Sequence, residues 1–424
     1  MGESKLDHIE GARTLAAVWI VVLHVLDYED AKRTASPPPE SPFNAGIARA
    51  SVGVTFFIVL SGFITHWVYG RPKRWDGDIM KFYSGRLDRV LLTSTLFVLT
   101  FTAIAKITGV VTIMFGDMGA LTFPQLLGCL TFVQSYIDPG GSDTGYICPD
   151  SSVWTVGVLI PSWLLYPLYR WLLVAAEERG DGAFAAAVLL LTAGWATTFA
   201  TLLAICAAQG FNLTIHQWAW STKFPPAQLG NFMLGVAAGA LALRASAIAP
   251  TPGEVAPLQA AAKNGAASDV VVTRWRGNSW AGLVADITAL SVVCLVTLLP
   301  LRGGTHIEGW DPLLEHALSP LLALWLLTTT IGSPTAPGGV ARVLGQPALA
   351  SAGKYSFHVY LLHKIVILIA TAGGWDQYTM AGSGVVAILL ISWLLGGLYC
   401  EYVEGRLVAL WRAGCNACQS RLNK

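Results

Sequence analysis

Ten blocks of apolar sequence, each long enough to cross a hydrocarbon layer of about 30 Å, constrain this chain more than any other feature. They fall near residues 14–28, 52–70, 90–110, 154–175, 184–208, 226–244, 280–301, 314–332, 355–373 and 383–403. Backbone polar groups inside lipid must be satisfied within their own segment, so blocks of this kind form helices. Only 12% of the 424 residues are charged and 54% are hydrophobic, about half the charged share of a soluble domain. The expected fold class is all-α: a polytopic transmembrane helical bundle of about ten spans, forming a single membrane domain over residues 1–424. A net charge of +1 supplies no basic field for nucleic acid, which leaves the lipid bilayer as the first partner. The weaker stretch 120–136 is expected to be a re-entrant or surface helix. The first block has Arg13 at its mouth and lacks a small-residue cleavage site, so a retained anchor is expected rather than a cleaved signal.

Orientation follows from the basic residues. With the N-terminus inside, about twenty of the 27 Lys and Arg fall in cytoplasmic segments, among them Arg71, Lys73, Arg74, Lys81, Arg86 and Arg89. The tail adds Arg406, Arg412, Arg421 and Lys424. Segment 111–153, on the other side, has no Lys or Arg but carries Asp117, Asp138, Asp143 and Asp150. Both termini are therefore expected in the cytoplasm. Residues 245–279 read as a flexible cytoplasmic linker, 29–45 (with Pro37-Pro38-Pro39) as an extended outer loop, and 405–424 as a cytoplasmic tail. The seven cysteines are scattered, and the lone Cys415-x-x-Cys418 is weak as a zinc signal, so no metal is expected. Asn212-Leu213-Thr214 matches a glycosylation sequon on a segment read as outer.

Ionisable residues within apolar blocks are costly and mark candidate sites. Arg13 and His24 stand eleven residues apart, a spacing that returns a helix to within roughly 20° of its starting face. Both side chains therefore share one face, with the imidazole about 16 Å deeper. This places Arg13 at the membrane surface and His24 near the middle. The bland alternatives are a snorkelling interface Arg and a His that bonds a neighbouring helix. Asp7 and Glu10 have the spacing of a capping box for the same helix. Arg86 and Arg89 are i, i+3 neighbours whose planar guanidiniums suit phosphate oxygens, although a topology signal or lipid headgroup contact would use the same residues. His363 is a second intramembrane His, with His358 shallower, and Glu404 has basic neighbours with which to pair. Ser61 lies in a Gly- and Ser-bearing block suited to close helix packing.

Taken in order, these segments resemble the acyltransferase-3 family of integral-membrane acyltransferases. Ile9-Glu10-Gly11-Ala12-Arg13 is similar to that family's opening Leu-Asp-Gly-Leu-Arg, with His24 at its Arg-x10-His spacing. Gly53 to Phe63 resembles its Gly-Val-x-Phe-Phe-x-Val-Leu-Ser-Gly-Phe motif, and Arg86-x-x-Arg89 its cytoplasmic Arg-x-x-Arg. Tyr355 to His363 is similar to its late Ser-Tyr-x-x-Tyr-Leu-x-His segment, and Tyr402-Val403-Glu404 to its closing Val-Glu. One motif departs from the pattern. Where the family has Trp-Ser-Leu-x-x-Glu-x-Gln, this chain has Trp154-Thr155-Val156-Gly157-Val158-Leu159-Ile160-Pro161, so the acid and the amide are gone.

The resemblance implies transfer of an acyl group, commonly acetyl, from acyl-CoA as co-substrate to a hydroxyl of a carbohydrate, lipid or similar acceptor. It implies His24 as the base that removes the hydroxyl proton. Arg13, Arg86 and Arg89 would hold the CoA phosphates, with Arg13 also counted in the catalytic set. Ser61 and Thr155 are candidate orienting groups; Trp154, Tyr355 and Glu404 are weaker motif positions, and His363 is either a second acid/base or a structural partner. Two other readings compete. A secondary transporter would use buried polar residues such as Asp286, and an inactive acyltransferase-like binding protein would explain the absent acid.

Overall fold

Each apolar block becomes a helix, a merged run of helices or a bent pair. The computed structural model describes residues 6–33, 42–71, 78–109, 122–137, 148, 151–248, 279–299, 307–308, 310–332, 338–375 and 380–422. Among them, nine helical stretches are long and apolar enough to cross a membrane, and a tenth is a pair bent by 70°. All ten coincide in order with the blocks read from hydropathy. The protein is an integral, multi-pass membrane protein.

The first three spans come from α1 (Asp7–Arg33), α3 (Ser51–Tyr69) and α4 (Ile79–Thr108), with the short α2 (Pro42–Ala48) between α1 and α3. Short helices α5 (Phe123–Leu130) and α6 (Gln134–Ile137) lead into α7 (Trp154–Glu178) and α8 (Asp181–Ala208). A two-residue strand β1 (Asn212–Leu213) and α9 (Ile215–Lys223) precede α10 (Pro225–Ile248). Next come α11 (Ser279–Leu298), β2 (Ile307–Glu308), α12 (Trp310–Ala317) and α13 (Ser319–Ile331). After α14 (Gly339–Leu344), the bent pair is α15 (Pro347–Gly353) and α16 (Ser356–Ala372). The chain closes with α17 (Val385–Leu398), a π-helical turn over Tyr399–Glu404, and α18 (Gly405–Leu422). The antiparallel pair β1–β2 aligns Asn212 with Glu308 and Leu213 with Ile307.

Lipid tails are as apolar as leucine, so these helices associate through close packing. The tightest seam joins α3 to α10. A Cβ added at Gly235 would collide with the Val59 carbonyl, and one at Gly62 with the Phe232 carbonyl, so only glycine lets the two backbones approach this closely. Both helices are largely buried, whereas α8, α11 and α17 expose Leu189, Leu190, Leu283, Leu290, Leu390 and Leu394 as an apolar belt. The bundle is thus central helices α3 and α10 wrapped by lipid-facing ones.

Several local expectations change. Glu10 does not complete a capping box with Asp7: the Leu6 carbonyl accepts the amides of Ile9 and Glu10, and the Glu10 carboxylate turns forward to Arg13. The outer loop read at 29–45 is helical at both ends, through Arg33 and from Pro42; residues 34–41 lie outside the described residues. Most of the linker read at 245–279 also lies outside them, with α10 continuing to Ile248. The tail from residue 405 is helical and anchored, because Arg412 pairs with Asp88 of α4 at 2.8 Å. In the stretch read at 120–136, the described residues from 122 onward carry α5 and α6, each too short to span. The cysteines are more informative than their spacing implied: Cys129 and Cys148 form a disulfide in the segment that charge bias assigns to the outside. An oxidising outer compartment fits such a bond.

Candidate active site

The Arg-x10-His spacing works as helical geometry demands, and a second helix completes the site. His24 of α1 and His363 of α16 meet with Nδ1 and Nε2 3.0 Å apart, their rings 4.9 Å between centroids. His363 is fully buried, and its Nδ1 lies 2.7 Å from the Tyr360 carbonyl. A carbonyl only accepts, so His363 Nδ1 carries its proton and, in the neutral ring, Nε2 is a bare acceptor. His24 Nδ1 must then donate to that acceptor. The chain of bonds fixes the His24 tautomer and leaves its Nε2 with a free lone pair, the arrangement of a general base held by an orienting partner.

Two cavities meet near this pair. One, about 240 Å³, opens toward the face where the basic residues collect and is lined by Glu10, Arg13, Ser61, Arg86 and Thr155. The rest of its wall is apolar, including Phe57, Leu60, Ile64, Leu159 and Phe357. The other, about 480 Å³, lies toward the opposite face and contains His24, Thr55, Trp154, Lys223, Glu315 and Lys364. Val54 and Tyr360 line both, so the partition between them is one side chain thick there.

At the basic face, Arg13 is held by both oxygens of Glu10 at 3.0 and 2.8 Å. This pairing aims the guanidinium instead of leaving it to snorkel. The opening motif packs tightly here: a Cβ at Gly11 would collide with the Leu344 carbonyl. Arg86 stacks over the Tyr69 ring, with 5.5 Å from Cζ to the centroid, and its buried Nε has no hydrogen-bond partner among the described residues. Arg89, one turn on, points elsewhere. It is exposed and reaches Glu404, with Nε 3.4 Å from one carboxylate oxygen, while His358 Nε2 lies 3.0 Å from the other. The structure therefore brings Arg13 and Arg86 to one cavity and places Arg89 and Glu404 in a link between α4 and α16. Cys400 joins His358 and Glu404 in a trio whose ligand-type atoms lie within 4.8 Å of one another. Arg89 on the same carboxylate opposes a cation at that place.

The remaining sequence candidates divide cleanly. Ser61 accepts a bond from Trp163 Nε1 at 3.1 Å, and Thr155 donates to the Ser152 carbonyl at 3.0 Å; both border the inner cavity. Trp154 borders the outer one. Tyr355 lines neither: its hydroxyl donates to Glu401 at 2.9 Å beside the Lys354–Glu401 ion pair. Sequence reasoning passed over Lys223, Lys364, Gln228 and Glu315, which line the outer cavity, and Arg49, which is buried behind it and pairs with Asp311 at 3.1 Å. Lys364 was visible as an ionisable residue inside a span, directly after His363.

A multi-pass helical membrane protein, with a buried His bonded to a half-buried one beside cavities toward opposite faces, is the class that fold and site define. A family model described as an acyltransferase domain matches residues 6–397, and the chain belongs to the acyltransferase-3 family. It is a membrane acyltransferase by that membership. No curated protein and no solved structure matches it. Leu159, standing where the family pattern has its central acid, faces the inner cavity.

Proposed function

We propose that this protein moves an acyl group, most commonly acetyl, from acyl-CoA at the cytoplasmic face to a hydroxyl of a carbohydrate, lipid or similar acceptor in the outer cavity. The observation that carries the reading is the His24–His363–Tyr360 chain, which leaves a bare imidazole nitrogen on a residue lining that cavity. The acceptor oxygen attacks the thioester carbonyl carbon as His24 Nε2 takes the hydroxyl proton. The carbon–sulfur bond of the tetrahedral intermediate then breaks, the ester forms, and the departing thiolate recovers the proton from His24 as free CoA thiol. Throughout, the Nδ1–H of His24 keeps its acceptor on His363, which steadies the imidazolium. His363 is in this scheme a positioning residue.

Arg13 and Arg86 suit the CoA phosphates, since one is oriented by Glu10 and the other has a spare donor at the mouth of the inner cavity. The apolar wall beyond them suits the thioester arm. The transporter reading loses its chief residue. Asp286 accepts the amides of Gly339 and Val340 at 2.7 and 2.8 Å, capping α14, and lines neither cavity. The test is His24→Ala in purified, bilayer-reconstituted protein. Transfer of radiolabel from acetyl-CoA should be lost with acetyl-CoA binding retained; transfer at the wild-type rate would remove His24 from the mechanism.

A further inference from the structure

On the acyl-transfer reading a group moves from one cavity to the other, so the wall between them decides what can be moved. The carbon–sulfur bond breaks, a carbon–oxygen bond forms, the thiol recovers its proton from His24, and only the acyl group ends on the outer side. Among the described residues, Val54 and Tyr360 alone line both cavities, so the acyl carbon reacts in the gap between them. Both side chains are buried. Tyr360 is tied at two points: its hydroxyl donates to the Ser152 carbonyl at 3.2 Å, and its own carbonyl accepts from His363 Nδ1 at 2.7 Å. Val54 is β-branched and therefore stiff about χ1, and it shares a buried apolar cluster with Ile20 and Ile58. One residue earlier, a Cβ added at Gly53 would lie 3.3 Å from both the Ala16 carbonyl and the Ile20 side chain, so α3 is packed hard against α1 and has little room to retreat. We infer that the side chains of Val54 and Tyr360 form a fixed aperture that limits the transferred acyl group by its width at the carbon next to the carbonyl. Acetyl passes, and groups branched at that carbon are turned back. The limit acts on transfer instead of binding, because the donor is held by its phosphates and by the apolar wall in front of the aperture.

This inference rests on the acyl-CoA reading. Membrane vesicles from the protein's own cells, cytoplasmic face outward and with endogenous acceptors in place, are given acetyl-, propionyl-, butyryl- or isobutyryl-CoA labelled at the carbonyl carbon. Label transferred by vesicles lacking the protein is subtracted, and binding of each thioester to purified protein is measured by calorimetry. Butyryl and isobutyryl contain the same atoms and differ only in branching. Acetyl is expected to be transferred about tenfold or more faster than isobutyryl at saturation, with butyryl between them and all four bound with similar affinity. Val54→Ala should raise isobutyryl relative to acetyl about tenfold or more, and Val54→Ile should lower propionyl and butyryl relative to acetyl. Leu60→Ala, which enlarges the inner cavity alone, should shift all four thioesters together. Ratios within one sample do not depend on how much protein folds. Ratios that the Val54 variants fail to move, ratios that follow Leu60→Ala instead, or selection as strong in binding as in transfer would overturn the aperture and leave the acyl-CoA reading standing. No transfer from any of the thioesters would overturn both.

Discussion

The two cavities share a wall but differ in chemistry. The inner one is smaller and mostly apolar, with its charge confined to the Glu10–Arg13 pair and Arg86 at the rim. The outer one is twice as large and mixed, with lysines, carboxylates, an amide and hydroxyls set among apolar residues such as Ile20, Leu23 and Val54. A rim of guanidiniums over a greasy interior suits a ligand with a charged head and a long arm. A chamber with dispersed polar groups suits a compact hydrophilic ligand recognised on several sides. On the proposed reading the contrast sets donor and acceptor at opposite faces, with His24 on the acceptor's side of the partition.

The largest expected effect tests that assignment at its centre. His24→Ala should lower acyl transfer by about 100- to 10,000-fold, as loss of a general base does, with both ligands still bound. Radiolabel transfer and separate binding titrations check it; a parallel loss of acetyl-CoA binding would merge the two cavities into one site. Next comes the donor rim. Arg13→Ala with Arg86→Ala should weaken acetyl-CoA binding roughly 10- to 100-fold, the worth of one or two charge-assisted hydrogen bonds, and leave outer-cavity ligands unaffected. Calorimetry on both ligands reads the difference. A smaller effect is expected at the orienting imidazole: His363→Leu should cost about tenfold or more in kcat, because the Nδ1–H of His24 is left without its acceptor. His363→Gln, which supplies an acceptor oxygen, should lose less, and equal losses would mean that His363 only fills space. The smallest concerns a charge outside both cavities. Asp286→Ala should cost about 1 kcal/mol of stability through the lost helix cap, seen as a lower unfolding temperature, with transfer per folded molecule unchanged. A loss of transfer there would return the transporter reading to consideration.

Hydropathy displayed the bundle almost completely because lipid imposes one requirement, a helix of sufficient apolar length, and the ten blocks met it one by one. The Arg13–His24 face was legible for the same reason: a single helix carries both residues, and its periodicity is regular. What the sequence did not display depends on neighbours. The Glu10 carboxylate had two available partners, the helix amide behind it and the guanidinium ahead, and only the packed structure shows that Arg13 is chosen. Arg86 and Arg89 looked like one clamp, yet Glu404, more than 300 residues away in sequence, draws Arg89 aside. Lys223, Glu315 and Lys364 come from three separate helical segments, and nothing local announces that they enclose one space. Cys129 and Cys148 were uninformative as a pattern because pairing depends on the path of the intervening loop.

The partition at Val54 and Tyr360 has an electrical consequence. Where water enters cavities from both faces, a membrane potential no longer falls across the whole thickness of the bilayer but concentrates on the low-dielectric layer between them. Here that layer is one side chain deep, and His24 stands beside it. A proton reaching that imidazole through the outer cavity crosses little of the field, whereas one crossing the partition from the inner cavity would cross most of it, worth about 2.3 kcal/mol per 100 mV for a full crossing. On the proposed reading, Val54 and Tyr360, the two side chains that line both cavities, would thus have a second task, that of insulation between the faces.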